Sequence, residues 1–446
     1  MAAHQLASVA DTLPLEWKYV SEGGATAVFS YVGPSDPQFD GMVLRLRKCP
    51  LGHPFRSAEE MTQEEPDDAT VEFQQRCMER LVPPIHLPRM VSVKLNEPWL
   101  RALSEAHNID RPAERRRVDE IDWSRTKGVL ATDLIGTDGL AVEIKPKWGF
   151  LPSPEHLTTT TSSVKTRTCR FCMHVHLKVL QGDTDVSVGY CPLDLFSGNP
   201  ARIKLALESL WSSWLATDGT VNNWKMFVAG MLIRPQTIHD LKVALLGHGS
   251  DEDDPNVLRD KCVELLMPLL TDTPILKILA KLQRTLDILD IEGLSSLWHR
   301  TLVSYADPAA GPDTPLSPVG QTSSLFESPD PTIDDWSKFI DQYLMQIGTS
   351  TTKEERMNHA QPLTSNLRYY LMAYLLSATF KDCSIIVKPT MPGMQGKGSI
   401  TIIDLDPKGM DRLRKWERLD AQIALAYGHI DEASRKICVD AGVDAW

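Results

Sequence analysis

Apolar and polar residues alternate in several short runs near the start of the chain. Trp17 to Tyr31 reads as strand, glycine turn, strand, with Ser21-Glu22-Gly23-Gly24-Ala25-Thr26 between the apolar arms. After Gly33-Pro34, Met42, Leu44 and Leu46 fall on one face and Val43, Arg45 and Arg47 on the other, the period of a half-buried strand. Val71 to Leu81 predicts a helix that breaks at Pro83-Pro84, and Val129 to Leu134 a further strand. In Ala141-Val-Glu143-Ile-Lys145-Pro-Lys147, period two sets Ala141, Glu143, Lys145 and Lys147 along one edge. That pattern suits an exposed edge strand guarded by charge as well as it suits a site, and Pro146 favours the edge.

Farther on the period lengthens. A Thr/Ser tract at Thr158 to Val164 reads as a loop, and Leu193 to Leu215 and Pro274 to Ser304 as long amphipathic helices. Gly247 to Asn256 reads as an acidic mobile loop, and residues 306–332, rich in Pro, Ser, Asp and Gly, as a disordered insertion. Helices follow at Asp334 to Met345 and Asn366 to Phe380, then strands Ser384 to Lys388 and Ser399 to Ile403. Gly393-Met-Gln-Gly396-Lys397 has the wrong spacing for a phosphate loop.

The chain has 446 residues and a net charge of −12, which disfavours wholesale binding to nucleic acid or an anionic membrane. No apolar run approaches the roughly 20 residues of a membrane helix, and Met1 to Pro14 lacks the pattern of a secretory leader. The eight cysteines are scattered, so no disulfide framework is expected, and a reducing compartment is the plain reading.

Against that acidic background, cations gather in three stretches. Arg170, His174 and Lys178 share one helical face at i, i+4, i+8; Lys145 and Lys147 precede them; Lys408, Arg412, Arg414 and Lys415 come late. Each alone reads as a solvated face; together they predict a pocket for a compact, highly anionic small molecule. Asp382 and Asp404 each sit where an apolar element meets a loop, joined by strand, turn, strand. Kinase-like folds place a base and a Mg²⁺ ligand in this way, although turn or capping aspartates would look the same. Cys169-x-x-Cys172 with His174 and His176 offers half of a zinc signature. The second ligand pair, ordinarily a loop away, is missing, so no zinc is expected there.

The order Glu22-Gly23-Gly24-Ala25, Arg45, Glu143-Ile-Lys145-Pro-Lys147, Arg170-Phe-x-Met-His174-x-x-x-Lys178, Pro192-Leu-Asp194-Leu-Phe-Ser-Gly198, Lys381-Asp382-Cys-Ser and Ile403-Asp404-Leu resembles the inositol-pentakisphosphate 2-kinases. The likeness runs from about residue 17 to about 427. It implies an α+β, two-lobed kinase-like fold of the inositol polyphosphate kinase type with an enlarged C-terminal lobe. Residues 1–135 would form the nucleotide lobe and 136–446 the inositide-binding lobe.

The activity implied is transfer from ATP, with Mg²⁺, to the 2-hydroxyl of inositol 1,3,4,5,6-pentakisphosphate, giving the hexakisphosphate. A non-catalytic inositide-binding protein is the alternative. The resemblance places Glu22, Gly23, Gly24, Ala25, Thr26, Arg45, Thr132 and Asp133 around the nucleotide, and Asp382, Lys145 and Asp404 in catalysis, Asp404 as the metal ligand. Lys145, Lys147, Arg170, His174, Lys178, Asn223, Lys408 and Arg412 fall at inositide contacts. Thr26, Lys225 and Trp416 depart from the family's Asn, Arg and Tyr. The zinc-binding Cys-x-x-Cys insertion of plant members has no counterpart, since residues 299–359 hold no cysteine. A soluble monomer of nucleus or cytoplasm, with no nucleic-acid or membrane partner, completes the expectation.

Overall fold

The computed structural model describes residues 8–52, 65–136, 139–248, 254–306, 329–348, 356–391 and 397–442. Most of the expected insertion at 306–332, the acidic stretch within Gly247 to Asn256, and Gly393 to Gly396 lie outside the described residues. The chain divides into two compact units, Met1–Asp138 and Gly139–Trp446.

The first unit is built on an antiparallel sheet of β1 (Trp17–Glu22), β2 (Thr26–Tyr31), β3 (Met42–Pro50), β4 (Met90–Lys94), β5 (Asp119–Ile121) and β6 (Lys127–Thr132). The order is β1-β2-β3-β6-β4, with β5 on the far end of β3. The glycine turn and its flanking strands stand as read, Gly23 N–H closing the turn on the Thr26 carbonyl at 2.9 Å. Leu44 and Leu46 point into a core with Trp17, Phe29 and Leu130. The helix expected over Val71 to Leu81 stops early: α1 (Ala69–Arg76) ends at Cys77, and a single 3₁₀ turn follows. Helix α2 (Glu97–His107) covers the core with Trp99, Leu100 and Leu103, and α3 (Ala113–Arg116) leads into β5.

The second unit carries a five-stranded antiparallel sheet. Its strands are β7 (Leu140–Ile144), β8 (Trp224–Val228), β9 (Met231–Ile233), β10 (Ser384–Lys388) and β11 (Ser399–Ile403), in the order β11-β10-β7-β8-β9. Here the edge-strand expectation fails. β7 is central, paired on both sides, and every residue of it is buried. Its charge is absorbed by pairing, because Glu143 lies directly opposite Lys225 on β8 and takes its ammonium at 3.2 Å. The strand also ends at Ile144, so Lys145 and Lys147 do not continue its alternation. Lys147 adopts φ 65°, a left-handed conformation uncommon for a residue with a side chain.

Helices surround this sheet. The Thr/Ser tract is not a loop but α4 (Thr159–Lys165), capped by Thr158. The basic segment forms α5 (Arg170–Leu180). The long helix expected over Leu193 to Leu215 divides into α6 (Pro192–Leu195) and α7 (Pro200–Ala216), because Gly198 and Pro200 interrupt it and Asn199 caps the second piece. Next come α8 (Ile238–Leu246), α9 (Pro255–Asp272), α10 (Ile275–Leu286) and α11 (Asp290–Ala306); the last two replace the single helix expected from Pro274 to Ser304. Then follow α12 (Ile333–Ile347), α13 (Leu367–Asp382) and α14 (Arg412–Gly428). α13 is almost wholly buried from Leu367 to Lys381 and delivers Asp382 to the surface as its last residue.

Candidate functional site

In the second unit, α5, α13, the β7–α4 link and the segment before α14 enclose a cavity of about 530 Å³. Lys147, Arg170, His174, Lys178, Asn223, Asp382, Lys408 and Arg412 all line it. The sequence named every one of these. The lining holds six Lys or Arg side chains against three Asp, in a chain whose net charge is −12.

Asp382 is the focus. Lys147 Nζ lies 3.2 Å from one carboxylate oxygen and Lys408 Nζ 3.5 Å from the other, while 57% of the Asp382 side chain stays exposed. Burial alone would raise this carboxyl, but Lys147 and Lys408, with Lys145 farther off, hold it below its ordinary 3.8. It is therefore ionised at neutral pH.

The other cations also have stand-in partners. Arg170 Nε donates to Asp420 at 2.9 Å and its guanidinium stacks on Trp148 at 4.7 Å, and Lys178 pairs with Asp183 at 3.0 Å. His174 is driven down to about 4, first by burial and then by Arg170, Lys178 and Lys147, so it is neutral at pH 7. Asn223 is less free than a simple contact residue. Its amide donates to the Lys145 carbonyl at 2.9 Å and its carbonyl accepts from Ser187 at 3.3 Å, which fixes the end of β7.

Lys145 and Asp404 sit beside the cavity rather than in its lining, 3.6 Å apart. Asp404, at φ 62°, is the second left-handed non-glycine of the site. Ser384 Oγ lies 2.8 Å from Glu143 and 3.2 Å from Asp404. A hydroxyl has one proton, so it cannot donate to both carboxylates, and Asp404 keeps acceptor capacity for a hard cation.

The sequence assigned no role to two residues that brace the cavity. Lys381 is buried, its ammonium donates to Asp287, and it lies 4.0 Å from the Trp148 ring centroid. Gln283 takes the Gly149 N–H at 2.7 Å and donates to the carbonyls of Lys147 and Phe380, both at 2.9 Å. That one side chain holds Lys147 and the end of α13 in register. Trp416 also lines the cavity, whereas Lys225 faces Glu143 instead. The only advance signal was the apolar helix ending in Lys381-Asp382.

In the first unit, the Glu22 side chain is 1% exposed and accepts from Lys48 and Arg111, at 3.0 and 2.8 Å. Its carboxylate anchors β1 to β3 and the β5 region. Above Gly23 and Gly24 there is open space, since an added Cβ would meet nothing within 4 Å. Ala25 caps the turn by accepting from Lys48 N–H at 3.0 Å, and Thr26 opens β2 opposite Arg47. Arg45 is half-buried on β3, paired with Val28 and Val129, and its guanidinium approaches Met90 sulfur at 4.0 Å. Thr132 ends β6 and accepts from Arg89 N–H at 2.9 Å. Asp133 accepts from Ser30 Oγ at 2.6 Å and Gly136 N–H at 2.7 Å.

The family model for inositol-pentakisphosphate 2-kinase matches residues 19–422. The chain belongs to the inositol-pentakisphosphate 2-kinase family. An inositol-pentakisphosphate 2-kinase of Cryptococcus neoformans is 32% identical over 93% of this chain and 94% of its own length. Those of Oryza sativa and Arabidopsis thaliana are 27% and 26% identical, over 92% and 94% of this chain and 93% and 94% of theirs.

Proposed function

We propose that this chain is an ATP-dependent kinase that phosphorylates the 2-hydroxyl of inositol 1,3,4,5,6-pentakisphosphate, giving inositol hexakisphosphate. The observation that carries this reading is the coincidence of six cations and one ionised, half-exposed Asp382 in a single cavity. A polyphosphate needs the cations; a hydroxyl nucleophile needs the carboxylate. A two-lobed kinase-like fold goes with it, residues 1–135 holding the nucleotide through Gly23 to Thr26, Arg45, Thr132 and Asp133. Residues 136–446 would hold the inositide. Glu22 serves there by shaping the turn.

In this reading Lys147, Arg170, Lys178, Lys408 and Arg412 exchange their present carboxylate partners, or solvent, for substrate phosphates. Lys147 and Lys408 are thereby drawn away from Asp382, and its carboxyl regains basicity when the substrate is in place. Asp382 then orients the 2-hydroxyl and takes its proton as the new O–P bond forms and the bond to ADP breaks. Lys145, 3.6 Å from Asp404, offsets charge on the transferring group. Asp404 fits a magnesium ion, which when bound would screen the nucleotide phosphates. No described helix is long and apolar enough to cross a membrane, and a monomer in nucleus or cytoplasm suits the reading.

The test is transfer of label from ATP to inositol pentakisphosphates that each leave a different hydroxyl free. Label entering only the isomer with a free 2-hydroxyl supports the proposal; label entering another isomer equally well, or none, refutes it. A non-catalytic binding protein is disfavoured because both Asp382 and Asp404 are present.

A further inference from the structure

Local sequence offers only the Cys169-x-x-Cys172 half of a zinc site. The fold supplies the other half. Cys169, Cys172, Cys191 and Cys438 bring their four sulfur atoms within 4.8 Å of one another. Cys169 caps α5 and Cys172 lies in its first turn, Cys191 is the residue before α6, and Cys438 belongs to the C-terminal segment, 247 residues after Cys191 in sequence. His174 and His176 take no part; the first lines the cavity and the second packs on Tyr427.

The spacing is informative. Cys169 and Cys191 sulfurs are 3.9 Å apart, and Cys191 and Cys438 sulfurs 3.8 Å. A disulfide would need about 2 Å. Four thiolates around a tetrahedral ion with bonds of about 2.3 Å stand about 3.8 Å from one another. The surroundings suit thiolates too: Cys172 N–H points at Cys169 sulfur at 3.5 Å, and the Lys436 ammonium reaches Cys172. Cys169, Cys191 and Cys438 are at most 5% exposed, with Leu193, Leu151 and Phe171 packed around them. The other cysteines, Cys49, Cys77, Cys262 and Cys383, join no such group among the described residues.

We propose that Cys169, Cys172, Cys191 and Cys438 bind one zinc ion as a closed structural site. All four positions are filled by protein, which leaves no open position for a reacting water. Its work is to tie the C-terminal segment to the start of α5. Cys438 N–H already bonds the Arg167 carbonyl at 2.8 Å, and Asp440 accepts from Leu151 N–H and Arg284, at 2.7 and 2.6 Å. Arg170 lies between the two α5 ligands and points into the cavity, so the ion would brace the wall that carries it. The site is independent of the reaction assigned to the cavity.

The experiment is elemental analysis of the full chain purified without chelator, beside Cys438→Ser, Cys191→Ser and a control, Cys262→Ser. The expected result is one zinc per wild-type and control chain and loss of the metal from the other two. Because those two could fail to fold, wild-type protein is also exchanged into cobalt(II) and its absorption recorded. Visible bands of a tetrahedral ion with intense thiolate charge transfer are expected. Wild type with zinc below about a tenth of an equivalent and no such cobalt bands would overturn the site. So would full zinc retention in folded Cys438→Ser, iron in place of zinc, or a disulfide among the four cysteines in freshly purified, unreduced protein.

Discussion

Asp382 shows how much one residue's neighbours decide. Its carboxyl is held below 3.8 against the effect of burial, chiefly by Lys147 and Lys408. A depressed carboxyl loses its charge only as pH falls through that lowered value, so the free enzyme keeps Asp382 ionised down to it. In kcat/KM, which reports the free enzyme, the acid limb from Asp382 should therefore lie below 3.8. In kcat it should lie higher, because phosphates then occupy the two lysines. Lys147→Met should move the kcat/KM limb upward; identical limbs in wild type and variant would contradict the account. Gly149 is a purely steric case. A Cβ there would meet the Phe196 ring at 2.7 Å, and Gly149→Ala should cost about 1–3 kcal/mol in denaturant unfolding. No loss of stability would show that the wall can yield.

Among the elements, α4, α5, α11 and α14 converge on one buried ammonium. Lys165 is 2% exposed and reaches Asp290 at 2.5 Å and Asp420 at 2.8 Å, and Asp420 also holds Arg170 at 2.9 Å. Burial pushes Asp290 up to about 6 despite Lys165, so the cluster is poised between charge and desolvation. Lys165→Met would leave Asp290 without its ammonium and Asp420 held by Arg170 alone; it should cost about 3–5 kcal/mol, with weaker inositide binding because Asp420, no longer fixed by Lys165, anchors Arg170 less firmly. Urea unfolding and calorimetry would read both effects; unchanged stability would show that the carboxylates simply take up protons. Asp290 also gives a pH dependence. Its folded value near 6 exceeds the ordinary 3.8, so between them the folded state binds more protons, and this contribution to stability falls as pH rises through that window.

The elements also show what a sequence can and cannot reveal. The hairpins β1–β2 and β10–β11 were legible because their alternation and turns are local. For β7 the sequence left an edge strand and a site equally open, because the strands that bury it, β8 and β10, come 80 and 241 residues later when counted between paired Ile144, Trp224 and Ile385. The four-cysteine cluster was missed for the same reason: Cys438 comes 247 residues after Cys191. Lys381 could be seen as a lysine, but its partner Asp287 and its contact with Trp148 arise only from packing. Cations at helical spacing, by contrast, predicted the cavity wall.

Over the whole molecule, an acidic chain concentrates positive charge in one place. Inositide binding should therefore weaken steeply with added salt, since several Lys and Arg contacts are screened together. An affinity independent of salt between about 50 and 200 mM would contradict a phosphate-filled cavity. The central claim is that this cavity both binds the pentakisphosphate and activates its free hydroxyl through Asp382. The most direct measurement is single-turnover transfer from labelled ATP, beside calorimetric binding of the inositide, in wild type and Asp382→Asn. The account predicts binding within a few-fold in both proteins and transfer reduced by about 10²–10⁴-fold in the variant. Transfer at the wild-type rate in Asp382→Asn, or tight binding with no transfer in either protein, would contradict it.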